Sequence, residues 1–275
     1  MDNRAVGIFD SGIGGLTCVR EINRLLPHEN VVYFGDTARI PYGTRSRSTI
    51  ESYARQDMNF IRRHDVKLII SACGTVSSIM GARKDYDGLP YTGVVIPAAQ
   101  AACAATRNGR IGVIGTPATI RSGAYGKAIR AIRQDAAIMG NSCPLFVPMA
   151  ENGITSPDDV VVKEMTARYL KPLKKENVDT LILGCTHYPL FADAISEYMG
   201  ADTVLISSGA EAAKNAQKIL TARDMLTERT GKGTTEFYCS DSREMFEENA
   251  RIFLGTELEG KVMSVSMEEL TAAEV

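Results

Sequence analysis

Short apolar runs rich in β-branched residues alternate along this chain with longer segments in which apolar residues recur every three or four positions. The short runs predict strands at 5–9, 30–35, 67–72, 91–95, 110–115, 137–141, 179–184 and 203–207. The longer segments predict helices at 15–26, 46–64, 121–134, 157–175, 189–199 and 209–225. Such alternation is typical of α/β folds, in which helices connect parallel strands.

The chain also has a two-part organisation. AVGIFDSGIGG (5–15) and RIGVIGTPAT (110–119) each read as a strand followed by a tight turn rich in Gly or Pro. SACGTVSS (71–78) and LGCTHYPL (183–190) each place a cysteine and a threonine between a strand and a helix. A length of 275 residues suits two domains of ordinary size. We therefore expect two similar α/β halves with mostly parallel sheets, and a polar surface loop at 227–236.

Charge and hydropathy exclude several classes of partner. The 31 basic and 33 acidic side chains leave a net charge of −2, which provides no field to hold nucleic acid. No apolar run approaches the roughly 20 residues that span a bilayer, so no membrane partner is expected. The N-terminal sequence MDNRAVGIFD lacks the pattern of a signal peptide, which predicts a cytoplasmic protein.

Six cysteines are scattered without a CxxC pair, which is unlike a disulfide framework. The three histidines do not supply the close pairs of a zinc site, so no metal is predicted. Cys73 and Cys185 share a context at the end of an apolar strand, where a following helix would favour the thiolate. A single free cysteine is usually a small buried hydrophobe, so the matched pair carries the interpretation. The remaining four are expected to be structural, namely Cys18, Cys103, Cys143 and Cys239.

Ligands in open parallel sheets bind outside the carboxyl ends of strands, where several polar residues are predicted to lie. Asp10 either caps its turn or binds an ammonium group, and the glycines after it do not have the GxGxxG spacing of a dinucleotide site. His187 either pairs with the Cys185 thiol or bonds locally. Glu151 is either a second carboxylate of the site or an ordinary helix cap. The Tyr42–Gly43 turn can present backbone N–H groups and a phenol.

Five strings together resemble the glutamate racemase family, in that family's order, from residue 7 to about 210. They are GIFDSGIGGLT (7–17), YFGDTARIPYG (33–43), SACGT (71–75), PLFVPMAENG (144–153) and LGCTHYPL (183–190). The resemblance implies two α/β domains facing each other across a cleft, the first formed by 1–97 plus 208–275 and the second by 98–207. It also implies a bacterial cytoplasmic isomerase that supplies D-glutamate for peptidoglycan synthesis, and hence for cell wall biogenesis and cell shape.

In the mechanism that the resemblance implies, one thiolate removes the α-proton of glutamate and the opposite thiol protonates the other face, without pyridoxal phosphate or a metal. Cys73 and Cys185 would be these two groups, with Asp10, His187 and Glu151 assisting them. The substrate-binding residues carried over by position are Asp10, Ser11, Pro41, Tyr42, Gly43, Gly74, Thr75, Thr116, Thr119, Thr186 and His187.

Two positions depart from the family pattern. Gly74 stands where the family has an asparagine that contacts substrate, and Ser207-Ser208 stands where Asp-Ser is common. Loss of a hydrogen bond to a charged group costs about 1.5–3 kcal/mol, so Gly74→Asn is expected to tighten glutamate binding. An aspartate racemase of the same superfamily, or a non-catalytic amino-acid-binding protein of this fold, is the alternative. Retention of both thiols argues against the second, and the sequence leaves a homodimer open.

Overall fold

The computed structural model of the protein describes residues 2–272. Within this range the strands are β1 (Ala5–Asp10), β2 (Val31–Gly35), β3 (Val66–Ser71), β4 (Asp85–Tyr86), β5 (Leu89–Gly93), β6 (Arg110–Gly115), β7 (Ala137–Ser142), β8 (Thr180–Leu183), β9 (Val204–Ser207), β10 (Thr235–Cys239) and β11 (Val262–Ser264). The helices are α1 (Leu16–Leu25), α2 (Arg47–Arg62), α3 (Gly74–Met80), α4 (Val95–Ala105), α5 (Pro117–Ser122), α6 (Ala124–Arg130), α7 (Phe146–Glu151), α8 (Val160–Lys175), α9 (Ala192–Met199), α10 (Ser208–Ala222), α11 (Arg243–Leu254) and α12 (Met267–Thr271). Short 3₁₀ turns lie at Thr37–Arg39, Tyr42–Thr44 and Tyr188–Phe191.

The strands form two sheets. The large sheet has seven strands in the order β11-β10-β2-β1-β3-β5-β4, and its pairs are parallel except for the antiparallel pair β4–β5. The small sheet has four strands in the order β7-β6-β8-β9, all parallel. The predicted α/β class with mostly parallel sheets is therefore confirmed.

The chain crosses between the two sheets twice. It builds β1 to β5 of the large sheet, passes through α4 into the small sheet, and returns after β9 through α10 to β10 and β11. At the second crossing Gly209 packs against Cys18 of α1, where an added Cβ would lie 3.5 Å from the Cys18 Cβ. The expected boundary between residues 97 and 98 falls inside α4. The domain limits stay a prediction.

Helices cover both faces of each sheet, which explains the continuous apolar runs of the strands. In β1, Val6 and Ile8 face a core shared with α1, while Phe9 faces a second core shared with α2. In the small sheet, Ile111 and Val113 face a third core shared with α4 and α6. The sheets are therefore buried layers, and polar side chains near them collect at the strand ends.

Some element boundaries differ from the sequence-based expectation. The strand predicted at 91–95 ends at Gly93, because helix α4 begins at Val95. The helix predicted at 121–134 is two short helices, which Gly123 separates with a φ of +64°. The polar loop predicted at 227–236 ends two residues early, since Thr235 opens β10 beside β2.

Candidate active site

Strands from both sheets end at one cavity of about 610 Å³. In the large sheet β1 ends at Asp10, and Cys73 follows β3. In the small sheet Thr116 follows β6, and Cys185 follows β8. This is the sheet edge at which ligands bind in open α/β folds. The residues predicted from the sequence all line this cavity, namely Asp10, Ser11, Pro41, Tyr42, Gly43, Cys73, Gly74, Thr75, Thr116, Thr119, Glu151, Cys185, Thr186 and His187.

Cys73 occupies the N-cap position of α3 and is buried. Its Sγ donates a hydrogen bond to Ser11 Oγ at 3.4 Å. Burial raises the pKa of the Cys73 thiol to about 12, and the negative charge of Asp10 acts in the same direction. The thiol is therefore protonated at neutral pH. This outcome differs from the expected thiolate, because desolvation of a buried sulfur opposes its ionisation more than the end of a short helix favours it.

Asp10 is almost completely buried beside Cys73. Its Oδ2 accepts a hydrogen bond from the Gly15 N–H at 2.9 Å. Its Oδ1 has no hydrogen-bond partner among residues 2–272. Burial raises the pKa of Asp10, although the charge of His187 opposes the rise. A buried oxygen without a partner is costly, so this position suits a ligand that brings a donor such as an ammonium group.

The Cys185 side of the cavity contains a histidine and a second carboxylate. Cys185 Sγ lies 3.7 Å from His187 Nδ1, and Thr186 Oγ1 lies 3.3 Å from the same nitrogen. His187 Nε2 lies 3.1 Å from Glu151 Oε1, at the end of α7. The edge of the His187 ring also packs against Phe253. These contacts fix the imidazole between the thiol and the carboxylate.

The pKa of His187 is raised to about 10 in this setting. Burial alone lowers the pKa of an imidazole, but hydrogen bonds to Cys185 and Glu151 and their negative charges outweigh it. His187 is therefore a cation at neutral pH. A thiolate on Cys185 would be paired with that cation, whereas Cys73 has no cationic side chain in hydrogen-bond contact in the described range.

Three threonine hydroxyls form a row that joins the two sides. Thr75 Oγ1 lies 3.3 Å from Thr116 Oγ1, which lies 3.0 Å from Thr119 Oγ1. Thr116 also accepts the Thr119 N–H as the N-cap of α5. Each hydroxyl can turn its proton toward a ligand, because a hydroxyl is both donor and acceptor. The row is therefore suited to bind a carboxylate.

The turns that carry the two cysteines pack directly against each other. A Cβ added at Gly74 would lie 2.4 Å from the carbonyl oxygen of Gly184. A Cβ added at Gly14 would lie 2.4 Å from both Thr186 Oγ1 and the His187 ring, and Thr17 Oγ1 donates to the Thr186 carbonyl at 2.9 Å. The space in which an asparagine side chain at position 74 would begin is thus occupied by backbone. Gly74 therefore allows the two turns to approach each other closely, and it also lacks the polar amide that an asparagine would provide.

Tyr42 faces the cavity differently from the expectation. Its phenol oxygen bonds to Asp57 Oδ2 at 3.0 Å and to Asp36 Oδ2, and the residue is almost completely buried. The expected presentation of the phenol to a ligand is therefore wrong. What the turn Pro41–Gly43 offers the cavity is its backbone and the proline ring.

Arg121 is a cavity residue that the sequence reasoning missed. Among the described residues it is the one Lys or Arg side chain that lines the cavity. It extends from α5 toward the turn Pro41–Gly43, and its Nη2 donates to the Gly43 carbonyl oxygen at 3.5 Å. Its position in TPATIRSG, two residues after Thr119, places a cation close to a predicted binding residue for an anionic ligand, and this spacing could have identified it. Other lining residues that were not predicted are Gly12, Ile40, Thr44, Pro117, Pro144, Val147, Pro148 and Gly184.

The other cysteines lie away from this cavity. Cys18, Cys103, Cys143 and Cys239 are free thiols and do not line it. Residues 2–272 contain no group of three or more His, Cys, Asp or Glu side chains placed to hold a metal ion. In the same range no helix is long and apolar enough to cross a membrane.

The chain is similar to racemases in sequence and in structure. The profile of the Asp/Glu/Hydantoin racemase family matches residues 7–216. A glutamate racemase of Geobacter metallireducens is 44% identical over 267 residues, which cover 96% of this chain and 97% of that protein. The crystal structure of a glutamate racemase isoform from Bacillus anthracis has a TM-score of 0.91 at 35% identity, covering 97% of this chain and 99% of the other. A glutamate racemase from Francisella tularensis, in complex with D-glutamate, has a TM-score of 0.84 at 36% identity, covering 97% and 98%.

Proposed function

The chain belongs to the Asp/Glu/Hydantoin racemase family, and from this premise we propose that it interconverts L- and D-glutamate with Cys73 and Cys185 as the two acid/base groups. The observation that carries the proposal is that two thiols from different sheets line one cavity. Racemisation needs a base on one face of the α-carbon and an acid on the other. One thiol from each side of a cleft meets that need.

The substrate's polar groups have matching positions around the thiols. The ammonium group bonds to Asp10 Oδ1, which otherwise has no partner in the described range. The carboxylates accept hydrogen bonds from the hydroxyls of Thr75, Thr116 and Thr119 and from N–H groups of the turn Pro41–Gly43. Such donors also stabilise the charge that develops as the α-proton leaves.

The resting protonation of the two sides defines the first direction. The Cys73 thiol is an acid, and the Cys185 sulfur lies beside the His187 cation that stabilises a thiolate. Cys185 thiolate takes the α-proton of L-glutamate, and Cys73 donates its own proton to the opposite face. The product is D-glutamate, with the proton now on Cys185 and the negative charge on Cys73. D-glutamate reacts with this second form in reverse, so no proton is gained or lost over a full cycle.

The reaction proceeds without pyridoxal phosphate or a metal ion in this proposal, because the thiols supply both proton transfers. In the family, D-glutamate feeds peptidoglycan synthesis, and we extend that role and a bacterial cytoplasmic location to this chain. The homodimer that the sequence left open is tested by sedimentation of the purified protein.

The decisive experiment is circular dichroism of L- and D-glutamate solutions after addition of the purified protein without cofactor. Decay of the signal to zero from either enantiomer, with deuterium entering the α-position from D₂O, is expected. Parallel solutions of L- and D-aspartate test whether the protein is instead an aspartate racemase. Faster decay of the signal with aspartate than with glutamate would establish that specificity. Glutamate binding without any α-deuterium exchange would instead identify a binding protein. Activity that a chelator abolishes and zinc restores would contradict the two-thiol mechanism.

A further inference from the structure

A buried ionic cluster lies behind the turn Pro41–Gly43 and outside the cavity that the turn lines. Its charged members are Asp36, which follows β2, Arg39 in the next 3₁₀ turn, and Asp57 in the middle of α2. Asp36 and Asp57 are fully buried, and Arg39 is 8% exposed. Buried charges are costly unless they are paired, so the contacts within the cluster determine what it does.

Contacts of Arg39 attach the segment that precedes the turn Pro41–Gly43 to helix α2. The Arg39 Nη2 donates to Asp57 Oδ1 at 2.9 Å, and its Nη1 bonds to Gln56 Oε1. The Arg39 Nε donates to Asp36 Oδ2 at 2.5 Å. The guanidinium also lies over the Tyr53 ring, 4.1 Å from its centroid. Arg39 is thus fixed on the α2 side by three residues of two adjacent helical turns.

The Tyr42 hydroxyl joins the turn itself to both carboxyl groups. It contacts Asp57 Oδ2 at 3.0 Å and also Asp36 Oδ2. A phenol has one proton and can donate it to only one of these oxygens. The second contact is a hydrogen bond only if a carboxyl group carries a proton. Burial raises the pKa of Asp57 well above its usual range, and the nearby Asp36 charge adds to the rise against the opposing charge of Arg39, which favours a proton on Asp57.

We propose that Asp57 is a positioning residue, which as a neutral acid fixes the substrate-binding turn Pro41–Gly43 through Tyr42 and Arg39. In this proposal the acid donates through Oδ2 to the Tyr42 oxygen with which it is in contact, Tyr42 donates to Asp36, and Arg39 pairs with the Asp36 carboxylate. The cluster is then electrically neutral overall. Asp57 does not line the cavity, so it acts on a ligand only through the turn. This inference rests on the proposed function for the identity of the substrate.

A buried ion pair at the opposite end of β2 provides a matched control. Lys67 Nζ lies 2.6 Å from Glu29 Oε2, and both residues are buried. Lys67 also donates to the carbonyls of Asp2 and Met225, and Glu29 accepts the Thr227 N–H. None of these residues lines the cavity. A variant of Glu29 therefore removes a buried carboxylate without disturbing the turn.

The test compares Asp57→Ala, Asp57→Asn and Glu29→Gln by thermal unfolding, by racemisation kinetics and by calorimetric Kd for D-glutamate. Asp57→Ala is expected to raise KM and Kd by about tenfold or more, because small misplacements of binding groups are expensive. Asp57→Asn is expected to retain KM within about twofold, since an amide donates and accepts in the pattern of the neutral acid. Glu29→Gln is expected to lower Tm and leave KM unchanged.

A second set of variants keeps the test valid if Asp57→Ala does not fold. Tyr42→Phe removes only the hydroxyl link and is expected to raise KM in the same way. Where Asp57→Ala folds, the increase in KM of the Asp57→Ala/Tyr42→Phe double variant is expected to be smaller than the two single effects combined, since both changes break the same connection. Wild-type KM in folded Asp57→Ala or Tyr42→Phe would overturn the proposal, as would an Asp57→Asn variant as impaired as Asp57→Ala. Failure of the proposed function is distinct, because the wild type itself would then not racemise glutamate.

Discussion

The two sides of the cleft present the same chemical group in opposite electrostatic surroundings. On the large-sheet side, Cys73 lies beside the carboxyl group of Asp10, and its thiol keeps its proton with a pKa of about 12. On the small-sheet side, Cys185 lies 3.7 Å from a His187 ring whose pKa is about 10. The backbone setting is similar, with each cysteine following a parallel strand. The two sides therefore match in backbone setting while they differ in the charged group that lies beside the sulfur.

That difference has a mechanistic meaning, because a racemase must alternate between two protonation states. A cleft with two equivalent thiols would have no preferred starting state. Here burial and the negative charge of Asp10 raise the pKa of the Cys73 thiol, whereas His187 places a cation beside Cys185.

The largest expected effect comes from removing either thiol. Cys73→Ser and Cys185→Ser should each reduce racemisation by at least about 10³-fold, because a hydroxyl is too weak an acid to supply the anion near neutral pH. A β-substituted glutamate analogue with a good leaving group needs only one proton abstraction before elimination. By the family resemblance, Cys73→Ser should retain elimination from the L-analogue and lose it from the D-analogue, and Cys185→Ser should do the opposite. The rate of elimination is measured as the release of the leaving group into solution.

The two serine variants also test whether the thiols face each other. Loss of elimination from the same enantiomer in both variants would contradict the assignment of one thiol to each face. Wild-type racemisation in either variant would remove that thiol from the mechanism. Circular dichroism in the far ultraviolet serves as the control for folding.

Removal of the cation sharpens the comparison further. His187→Gln should reduce elimination from the L-analogue by about 10²-fold, while elimination from the D-analogue falls less, since Cys73 is the base there. The wild-type cation is present below the His187 pKa of about 10 and is lost above it. The ratio of wild-type to variant rate should therefore shrink as pH rises through 10. Equal losses with both enantiomers, at every pH, would mean that His187 does not distinguish the two sides.

The contact between the two turns is tested at Gly74. Gly74→Ala should lower Tm and reduce kcat/KM by about tenfold, because its Cβ would meet the Gly184 carbonyl and overpacking costs about 1–3 kcal/mol. Gly74→Asn, which the sequence alone predicts to tighten glutamate binding, meets the same backbone and should bind glutamate no more tightly than Gly74→Ala. Gly126→Ala in α6 is the matched control, since its nearest new contact is the flexible end of Arg130 at 3.6 Å. An asparagine variant with a lower KM than the wild type would show that the turns separate and that the expected lost contact dominates.

The smallest expected effect concerns Arg121, the exposed cation that lines the cavity. Arg121→Gln should raise KM for glutamate by about threefold to tenfold at low salt, because an exposed cation attracts an anionic substrate modestly. The effect should diminish in high salt, where the charge is screened. Lys127→Gln removes an equal charge from the neighbouring helix α6 and should change KM less. Equal increases in KM for the two variants would mean that Arg121 acts only through long-range attraction of the anionic substrate, as any nearby cation would.

The sequence predicted the parts of the site that depend on local pattern. Asp10, Cys73 and Cys185 follow apolar strands, and the rule that parallel strands end at one edge brings such residues together. The resemblance to a family added Thr116, Thr119 and the other lining positions, which periodicity alone does not identify. Assignment of roles to these residues remains a prediction for the experiments above.

Features that depend on contacts between distant segments were not predicted. The Gly74–Gly184 approach joins segments far apart in sequence. The bonds of Arg39 and Tyr42 to Asp57 join a loop to the side of the next helix, and local pattern does not reveal such side-chain contacts. Helix α4 was missed because its apolar and small residues are buried on several sides and show little helical period. The β-like run that precedes Cys239 forms strand β10, but the sequence did not define its bounds because the run opens with polar residues beside a predicted loop.

The two chain crossings between the sheets have a mechanical consequence. A lobe attached by one covalent connection can twist as well as bend. Two connections side by side restrict the twist and leave bending about one hinge axis. We expect the cleft to open by swinging about a single axis through α4 and the start of α10, near the contact of Gly209 with Cys18. We expect such a swing to change the separation of the two sulfurs while it limits twisting of one side against the other, so that substrate can enter the cleft.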